Sequence, residues 1–222
     1  MDNLISITDL ESLQDNMTRV QEDGKRLYVT PEGQKYPSVT TVTGLLTRDH
    51  IKLWRKRVGE EVANKISTGA ARRGTRMHSL FEQYLRQEEE IVFDNVMEQS
   101  MFNAVQPLLD EILPIGLEAF MWSDSLQMAG QVDCVGVFED ELCIIDFKTS
   151  AKYKEDYMAD PWFHQMTAYA IMVEELTGEV VESIHAIVGV DGGGCQLFSA
   201  DPREYVDKLY DLRNRYSSLH GV

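Results

Sequence analysis

Two acidic residues and a lysine lie in neighbouring apolar segments of the chain, residues 129–138 and 141–148. Asp133 belongs to the first segment, and Asp146 and Lys148 belong to the second. If a two-residue turn joins two antiparallel strands here, Asp133 faces Asp146 with Cβ atoms roughly 5 Å apart. Lys148 points to the same face as Asp146, because side chains alternate along a strand. The spacing predicts two opposed carboxylates and an amine on one face, although a bulge would shift this register.

Such an arrangement requires a cation, because two carboxylates among apolar neighbours repel each other and are hard to keep ionised. Lys148 is one candidate for that cation. A hard divalent ion such as Mg²⁺ or Mn²⁺ is the better candidate, since these ions prefer oxygen ligands. The alternative is a surface salt bridge between the acids and the lysine. It suits the segments less well, because the sequence predicts strands that are apolar on both faces.

The elements that would position these residues form a mixed α/β pattern. Apolar periodicity predicts two short extended pieces within 27–36, then helical segments at 38–46, 49–67, 70–87 and 94–113. The rest predicts strands at 117–123, 129–138, 141–148, 182–190 and 194–199, a helix from its N-cap Asp160 to about 176, and a last helix at 202–217. We therefore expect one domain: a mostly helical part over 1–115, and a central mixed sheet flanked by helices over 116–222.

The residues of the predicted hairpin resemble the core of the PD-(D/E)XK nuclease superfamily. Gly130-x-x-Asp133 is followed, after a strand–turn–strand step, by Asp146-x-Lys148. The resemblance implies a restriction-endonuclease-like fold and hydrolysis of phosphodiester bonds. A cation at this position would make water nucleophilic near neutral pH and neutralise charge on the phosphate oxygens.

Further motifs extend the resemblance over residues 36–170. The segment Arg73–His78 followed by Glu82 resembles the helix motif of the RecB-like branch, and Gln165-x-x-x-Tyr169 resembles its Gln/Tyr motif. The N-terminal part resembles the family of mitochondrial genome maintenance exonucleases and their phage relatives, through residues 36–40 and Trp54.

The resemblance implies a role for each core residue. Metal ligands would be His78, Asp133, Asp146 and the backbone carbonyl of Phe147, holding one or two Mg²⁺ or Mn²⁺ ions. Lys148 would orient or deprotonate the attacking water and stabilise the pentavalent state. The alternative for a lone histidine on a helix is ordinary packing or exposure.

Four more residues have supporting roles by the same resemblance. Gln165 would orient the lysine or a bound phosphate, and Tyr169 would contact the substrate backbone; the alternative for both is helix packing. Glu82 would orient the histidine or help to hold a metal, or else pair with Arg86 at i,i+4. Glu118 lies where many relatives carry an acid, and its alternative is a buried partner for a basic residue.

The charge distribution is uneven. Nine basic and three acidic residues give the segment 48–77 a net charge of +6. Because the net charge of the whole chain is −16, the other 192 residues together carry −22. This segment predicts a surface that attracts a polyanion, and solvated helix faces are the alternative. The predicted DNA contacts are Arg72, Arg73, Arg76, Thr149, Ser150, Lys152 and Lys154, with Trp54 and Tyr36 as stacking surfaces, although a core role also fits Trp54.

Composition narrows the function classes. Three cysteines are typical of a reducing compartment, and no apolar run is long enough to span a membrane. We therefore expect a cytoplasmic protein, encoded by a phage or a bacterium, with DNA as its substrate and a single-strand-binding or annealing protein as a partner. The predicted function is a metal-dependent DNA exonuclease of replication, recombination or repair, acting on single strands or ends. The alternatives are a nuclease that resects double-strand ends and a non-catalytic acidic mimic of DNA, which the net charge alone supports.

Overall fold

The N-terminal part of the protein contains a small antiparallel sheet. The computed structural model describes residues 4–22 and 25–221. A 3₁₀ helix, Ile7–Asn16, leads into strands β1 (Thr18–Glu22), β2 (Lys25–Val29) and β3 (Lys35–Pro37), which pair in the order β1-β2-β3. The two predicted extended pieces are β2 and β3. The sequence analysis missed β1, because its mixed polar residues show no clear alternation.

A helical region follows, and its boundaries differ from the prediction. The helices are α1 (Val39–Thr43), α2 (Arg48–Val58), α3 (Glu60–Leu85) and α4 (Val96–Leu109), with a 3₁₀ turn at Gly44–Leu46. The break falls at Gly59, whose φ of +86° suits glycine, and α3 runs without interruption through the predicted gap at 68–69. Ser38 caps α1, because its Oγ accepts a hydrogen bond from the Thr41 N–H at 3.1 Å.

The second part of the chain forms a mixed five-stranded sheet. The strands are β4 (Leu113–Ser123), β5 (Met128–Phe138), β6 (Glu141–Ser150), β7 (Ser183–Val190) and β8 (Gly194–Ala200), in the order β4-β5-β6-β7-β8. Only β6 and β7 are parallel among these neighbours, and α5 (Asp160–Thr177) makes the crossover that a parallel pair requires. The last helix is α6 (Val206–His220). This is the mixed sheet flanked by helices that the sequence predicted.

One helix start was predicted wrongly. Asp160 is the first residue of α5 rather than its N-cap, and the N-cap is Ala159, which has no side-chain acceptor. A 3₁₀ turn at Asp156–Ala159 directly precedes the helix. Pro161 lies in the first turn, as the sequence indicated, because a missing N–H costs nothing there.

The register of the central hairpin is confirmed over five pairs. Phe138 pairs with Glu141 and Cys134 with Ile145. Glu139 and Asp140 form a two-residue turn with φ values of +53° and +65°. The ladder ends one position before Asp133 and Asp146, so the two acids are not a ladder pair.

Alternation breaks at the acidic residues themselves. On β5, Val132 packs in one buried cluster and Cys134, two residues later, packs in the other. On β4, Leu117 and Ala119 are divided between the clusters in the same way. Residues two apart on a regular strand share a face, so both strands are kinked at the residue between them: Asp133 on β5 and Glu118 on β4.

The sheet separates two apolar cores. One contains side chains from α1, α5 and α6, and the other contains side chains from α3 and α4. β6 lies at the centre of the sheet and is covered on both faces. This packing holds in place the residues of β6 that line the cleft described below. None of the helices in residues 4–22 and 25–221 is long and apolar enough to cross a membrane.

Candidate active site

A cleft of about 640 Å³ opens between α3, α5, the small sheet and one end of the large sheet. Eight residues that the sequence analysis assigned to catalysis or support line it: His78, Glu82, Glu118, Asp133, Asp146, Lys148, Gln165 and Tyr169. They come from α3, β4, β5, β6 and α5, so the fold gathers residues that are up to 91 positions apart in the chain.

Asp133 connects β5, β6 and α3. Its Oδ2 accepts a hydrogen bond of 2.8 Å from the backbone N–H of Phe147, which replaces the ladder contact that a regular strand would make there. The same oxygen lies 3.5 Å from Nδ1 of His78. The kink in β5 thus turns the carboxylate towards the helix rather than directly across to Asp146.

Asp146 is the most buried acid of the cleft, with 2% of its surface exposed. Gln165 donates a 3.0 Å hydrogen bond from Nε2 to its Oδ1, and Lys148 Nζ lies 2.5 Å from its Oδ2. This second contact lacks hydrogen-bond geometry, so Oδ2 accepts no hydrogen bond from the described residues. Burial raises the pKa of Asp146 to about 6, against the opposing charge of Lys148 and with the repulsion of Asp133.

Gln165 was expected to orient the lysine or a phosphate. The structure places its amide on the carboxylate of Asp146 instead. The contact reaches the lysine only through that carboxylate, because Asp146 holds both groups. The sequence could not distinguish the two partners, since Asp146 and Lys148 lie two residues apart on the same face of β6.

Three side chains of the cleft have the spacing of a metal site. One ligand atom from each of His78, Glu118 and Asp133 lies within 4.8 Å of the other two. The trio contains Glu118 where the prediction had Asp146, and Glu118 was expected only to support the site. Burial raises the pKa of Glu118 to about 7, and the charges of Asp133 and Glu82 add to the increase. Carboxylates held at such a cost are typical of a site that a cation completes.

The donor set fits a divalent cation. An imidazole and two carboxylates converge, and the buried Oδ2 of Asp146 beside them lacks a hydrogen bond from the described residues. Oxygen-rich sets with one imidazole suit Mg²⁺ and Mn²⁺. Ligation by Asp146 and by the carbonyl of Phe147 stays a prediction.

Tyr169 forms the floor of the cleft. It is 3% exposed, and burial raises the pKa of its hydroxyl well above the usual range. A Cβ at Gly130 would lie 2.8 Å from the Tyr169 hydroxyl oxygen, closer than side chains approach. The glycine of the Gly130-x-x-Asp133 motif therefore makes room for the tyrosine on α5. Contact between Tyr169 and substrate stays a prediction.

Glu82 makes the predicted pair with Arg86, and its role beside the histidine or a metal stays a prediction. It lines the cleft, and it also accepts a 2.9 Å hydrogen bond from Nε of Arg86 at i,i+4. The same arginine lowers the pKa of Glu118, in opposition to the burial that raises it.

The arginines of α3 that were predicted to guide DNA line a separate cavity of about 350 Å³. Arg73 pairs with Asp191 at 3.3 Å, and Arg76 pairs with Glu98 at 3.3 Å and with Asp94 at 3.5 Å. Their charges are therefore partly neutralised within the protein. Arg72 lines the same cavity and forms no ion pair with the part of the chain that the structure describes.

The other predicted DNA contacts have mixed surroundings. Ser150 is buried and bonds the backbone of Lys152 through its hydroxyl, in a turn after β6. Lys152 is exposed. The Thr149 hydroxyl lies 3.8 Å from where a Cβ at Gly74 would stand, which places it against α3. Lys154 is half-buried, with its backbone held by Gln196.

The two predicted stacking residues lie outside the cleft lining. Trp54 is half-buried on α2, which fits the core alternative in part. The hydroxyl of Tyr36 donates a 2.7 Å hydrogen bond to Asp124. Burial and, to a smaller extent, this contact raise the pKa of Tyr36 to about 12.

The sequence analysis missed several residues of the cleft wall. Thr75 lies three residues before His78 and Ser79 three residues before Glu82, so the face of α3 that carries these two residues could have indicated them. Arg19 had no such signal, because β1 itself was not predicted. The motifs at 36–40 and 73–78 contain Ser38, Val39, Thr40 and Thr75 without giving them a role, and the residues missed altogether are Arg19, Tyr28, Ser79 and Gln131.

A comparison with protein families agrees with this geometry. The model of the PD-(D/E)XK nuclease superfamily matches residues 92–199, which contain Asp133, Asp146, Lys148 and the Gln165/Tyr169 pair. Residues 92–199 of the chain are therefore similar to the PD-(D/E)XK nuclease superfamily. The mixed sheet flanked by helices is consistent with the fold of this superfamily.

Relatives match parts of the chain. Human mitochondrial genome maintenance exonuclease 1 is 29% identical over 129 residues, which are 53% of this chain and 38% of the human protein. The protein of the same name from Xenopus tropicalis is 39% identical over 70 residues, 30% of this chain and 20% of the frog protein. The matches thus span well under half the length of these relatives. A crystal structure of a protein called SSO0001 aligns with 81% of this chain and 75% of its own, at 13% identity and a TM-score of 0.42.

Proposed function

We propose that the protein is a metal-dependent DNA exonuclease that hydrolyses phosphodiester bonds of single-stranded DNA or of DNA ends. One observation carries the proposal: the converging ligand atoms of His78, Glu118 and Asp133 lie in the same cleft as the Asp146–Lys148 pair. Similarity to a nuclease superfamily supports hydrolysis. The word exonuclease in the names of the vertebrate relatives supports action from an end, and their role in genome maintenance supports DNA as substrate.

The side chains of the cleft prepare a cation site. His78, Glu118 and Asp133 would hold the ion, with Asp146 beside them. A bound divalent ion supplies Lewis acidity, which lowers the pKa of water and neutralises charge on phosphate oxygens. Asp133 also fixes the peptide of Phe147 through its N–H, so that β5 and β6 are held together where the ligands meet.

Lys148 is the proposed proton-handling and charge-stabilising group. Asp146 holds its Nζ at 2.5 Å, and Gln165 holds Asp146 in turn. This chain of contacts limits the freedom of a long side chain, and a fixed ammonium stabilises developing negative charge better than a mobile one. In this proposal, Nζ orients a water molecule and exchanges a proton with it.

The wider setting remains part of the proposal. A phage or bacterial cytoplasm and a single-strand-binding or annealing partner are predictions from the sequence, whereas the relatives reported above are vertebrate proteins named for mitochondria. Resection of double-strand ends uses the same chemistry and is the second candidate.

A gel assay with internally labelled DNA tests the proposal. Linear single strands, linear duplexes and closed circles are incubated with Mn²⁺, with Mg²⁺ or with a chelator, and Lys148→Ala is run in parallel. The expected result is metal-dependent loss of linear DNA only, absent in the variant. Cleavage of circles would make the enzyme an endonuclease, and preference for duplexes would favour end resection. No cleavage of any DNA would contradict the proposal and favour the acidic mimic.

A further inference from the structure

Glu118 occupies a backbone conformation that its type disfavours. Its φ is +50° in the middle of β4, and residues with a Cβ adopt this left-handed region rarely and at a cost. Its neighbour Gly116 is not the residue with positive φ, so the chain does not use its nearby glycine for the kink. Such outliers persist only when the surrounding structure holds them.

The peptide units beside Glu118 are held by side chains. The N–H of Leu117 donates a 2.7 Å hydrogen bond to Oε1 of Glu11. The carbonyl of Leu117 accepts a 3.2 Å hydrogen bond from Nη2 of Arg86, and the carbonyl of Glu118 accepts one of 3.0 Å from Nε2 of Gln131. The polar groups on both sides of the kink are thus fixed from outside the strand.

Glu11 and Arg86 also bind each other. Nη1 of Arg86 lies 3.0 Å from Oε2 of Glu11, and Nε of Arg86 donates to Glu82 at 2.9 Å. One guanidinium therefore connects the N-terminal 3₁₀ helix, α3 and β4. Leu10, the neighbour of Glu11, is fully buried, and its Cβ would lie 3.4 Å from a Cβ at Gly116. This close packing fixes the 3₁₀ helix against the strand at the level of the kink.

Capping an edge strand does not by itself explain these contacts. β4 is at the edge of the sheet, where outward N–H and C=O groups can bond to water instead. Here an acid and a base from two different elements both bind Leu117, the residue directly before the disfavoured conformation. The same conformation brings the carboxylate of Glu118 within reach of His78 and Asp133.

We propose that Glu11 and Arg86 are positioning residues that hold the left-handed conformation of Glu118 and thereby preset a carboxylate ligand of the metal site. The inference rests on the proposed function, because it takes the trio of His78, Glu118 and Asp133 to be that site. Side chains that support a ligand in this way typically change metal affinity by 10–100-fold when they are altered.

A double-mutant cycle on metal binding tests the proposal without any measurement of cleavage. Mn²⁺ affinity is measured by calorimetry for the wild type, Arg86→Lys, Glu118→Gln and the double variant. Lysine keeps the charge but cannot make the three forked contacts at once. We expect Arg86→Lys to weaken Mn²⁺ binding by about tenfold and to have no further effect in the Glu118→Gln background. Glu11→Gln, which keeps an acceptor for Leu117 but loses the ion pair, should cause a smaller loss.

Controls separate positioning from general stability. Arg203→Lys changes a more exposed ion pair, with Asp201 at 2.7 Å, at the 3₁₀ turn Pro202–Glu204 outside the cleft, and should leave Mn²⁺ affinity unchanged. Thermal unfolding in the presence of a chelator shows whether each variant is folded. If Arg86 and Glu11 had a purely structural role, their variants would have a lower melting temperature but no loss of Mn²⁺ affinity that depends on Glu118.

Three results would overturn the inference. One is an unchanged Mn²⁺ affinity in Arg86→Lys, and another is an equal loss in both backgrounds. The third is normal affinity in Glu118→Gln, which would remove Glu118 from the site but leave a nuclease based on Asp133 and Asp146 standing. Absence of Mn²⁺ binding by the wild-type protein would overturn the metal-dependent function as well.

Discussion

At the scale of single residues, the cleft combines groups that are costly to bury with contacts that restrain them. Asp146 is almost fully buried and yet has a pKa of about 6 rather than a higher one, because Lys148 opposes the effect of burial. Position 130 requires a glycine for a different reason, because the Tyr169 hydroxyl lies too close to leave room for a Cβ. The Gly130-x-x-Asp133 motif thus contains one residue that serves the chemistry and another that leaves room for a neighbouring side chain.

Asp146→Asn should reduce cleavage by more than about 100-fold while DNA binding is kept or improved. The change removes an acidic partner of Lys148 and one negative charge that repels phosphate. Single-turnover cleavage and fluorescence anisotropy measure the two effects separately. Asp211→Asn, exposed on α6, is the control and should behave as wild type. Loss of binding with normal cleavage per bound complex would contradict this role of Asp146.

Gly130→Ala should destabilise the protein by about 1–3 kcal/mol, the usual cost of overpacking a core. The added methyl group would meet three atoms of the Tyr169 ring and hydroxyl at 2.8–3.2 Å. Urea denaturation measures the change. Gly69→Ala is the matched control, because its Cβ would meet nothing within 4 Å on α3, and it should stabilise the helix by up to about 1 kcal/mol. Equal stabilities for both variants would show that Tyr169 moves aside freely.

At the scale of elements, α3 has two different surfaces. One presents His78 to the cleft, and the other carries Arg73 and Arg76, which pair with acids from α4 and from the turn after β7. A cluster of arginines in the sequence is therefore not equivalent to a positively charged surface. Counter-charges arrive from distant segments, and only the tertiary structure reveals them.

Arg72→Ala should weaken binding of single-stranded DNA and reduce the slope of log affinity against log salt by about 0.7, the value for one phosphate contact. Its guanidinium is exposed and forms no ion pair among the described residues, unlike those of Arg73 and Arg76. Titrations at several salt concentrations measure the slope. Arg215→Ala, exposed on α6 on the other face of the sheet, should leave it unchanged. An identical slope for Arg72→Ala would exclude this contact.

At the scale of the whole molecule, the metal-free fold carries an electrostatic penalty in its cleft. Glu118 and Asp146 have pKa values raised to about 7 and about 6, above those of the unfolded chain. The folded state therefore binds protons more tightly than the unfolded state. The stability from this source is fully present below the unfolded pKa values, near pH 4, and is lost as pH rises through 6 and 7.

In the presence of a chelator, the free energy of unfolding should decrease between pH 4.5 and pH 7.5, because Glu118 and Asp146 lose their protons over this range. Glu118→Gln should make this decrease smaller. Added Mn²⁺ should raise the melting temperature most at the upper end of this range, because the ion replaces the missing protons. Thermal scans across pH, with and without the ion, measure both effects. Similar slopes for wild type and Glu118→Gln, or no shift with Mn²⁺, would contradict a preformed site.

Sequence by itself determined the elements whose signals are local. Apolar periodicity predicted most of the helices and the five strands of the large sheet along the chain. The two-residue turn predicted the register from Phe138–Glu141 to Cys134–Ile145. The motif residues were found because spacing along a strand or helix fixes which side chains share a face. Local rules also failed locally, as at Asp160, where a 3₁₀ turn precedes the helix.

Only the tertiary structure decided how the acids are arranged. The kinks at Asp133 and Glu118 depend on contacts with Phe147, Glu11 and Arg86, which lie from 14 to 107 residues away in the chain. No periodicity encodes such contacts, because an alternating pattern describes regular strands and these two strands are irregular at the functional residue. The tertiary structure therefore places Glu118 beside His78 and Asp133. It also places the amide of Gln165 on the carboxylate of Asp146 rather than on Lys148.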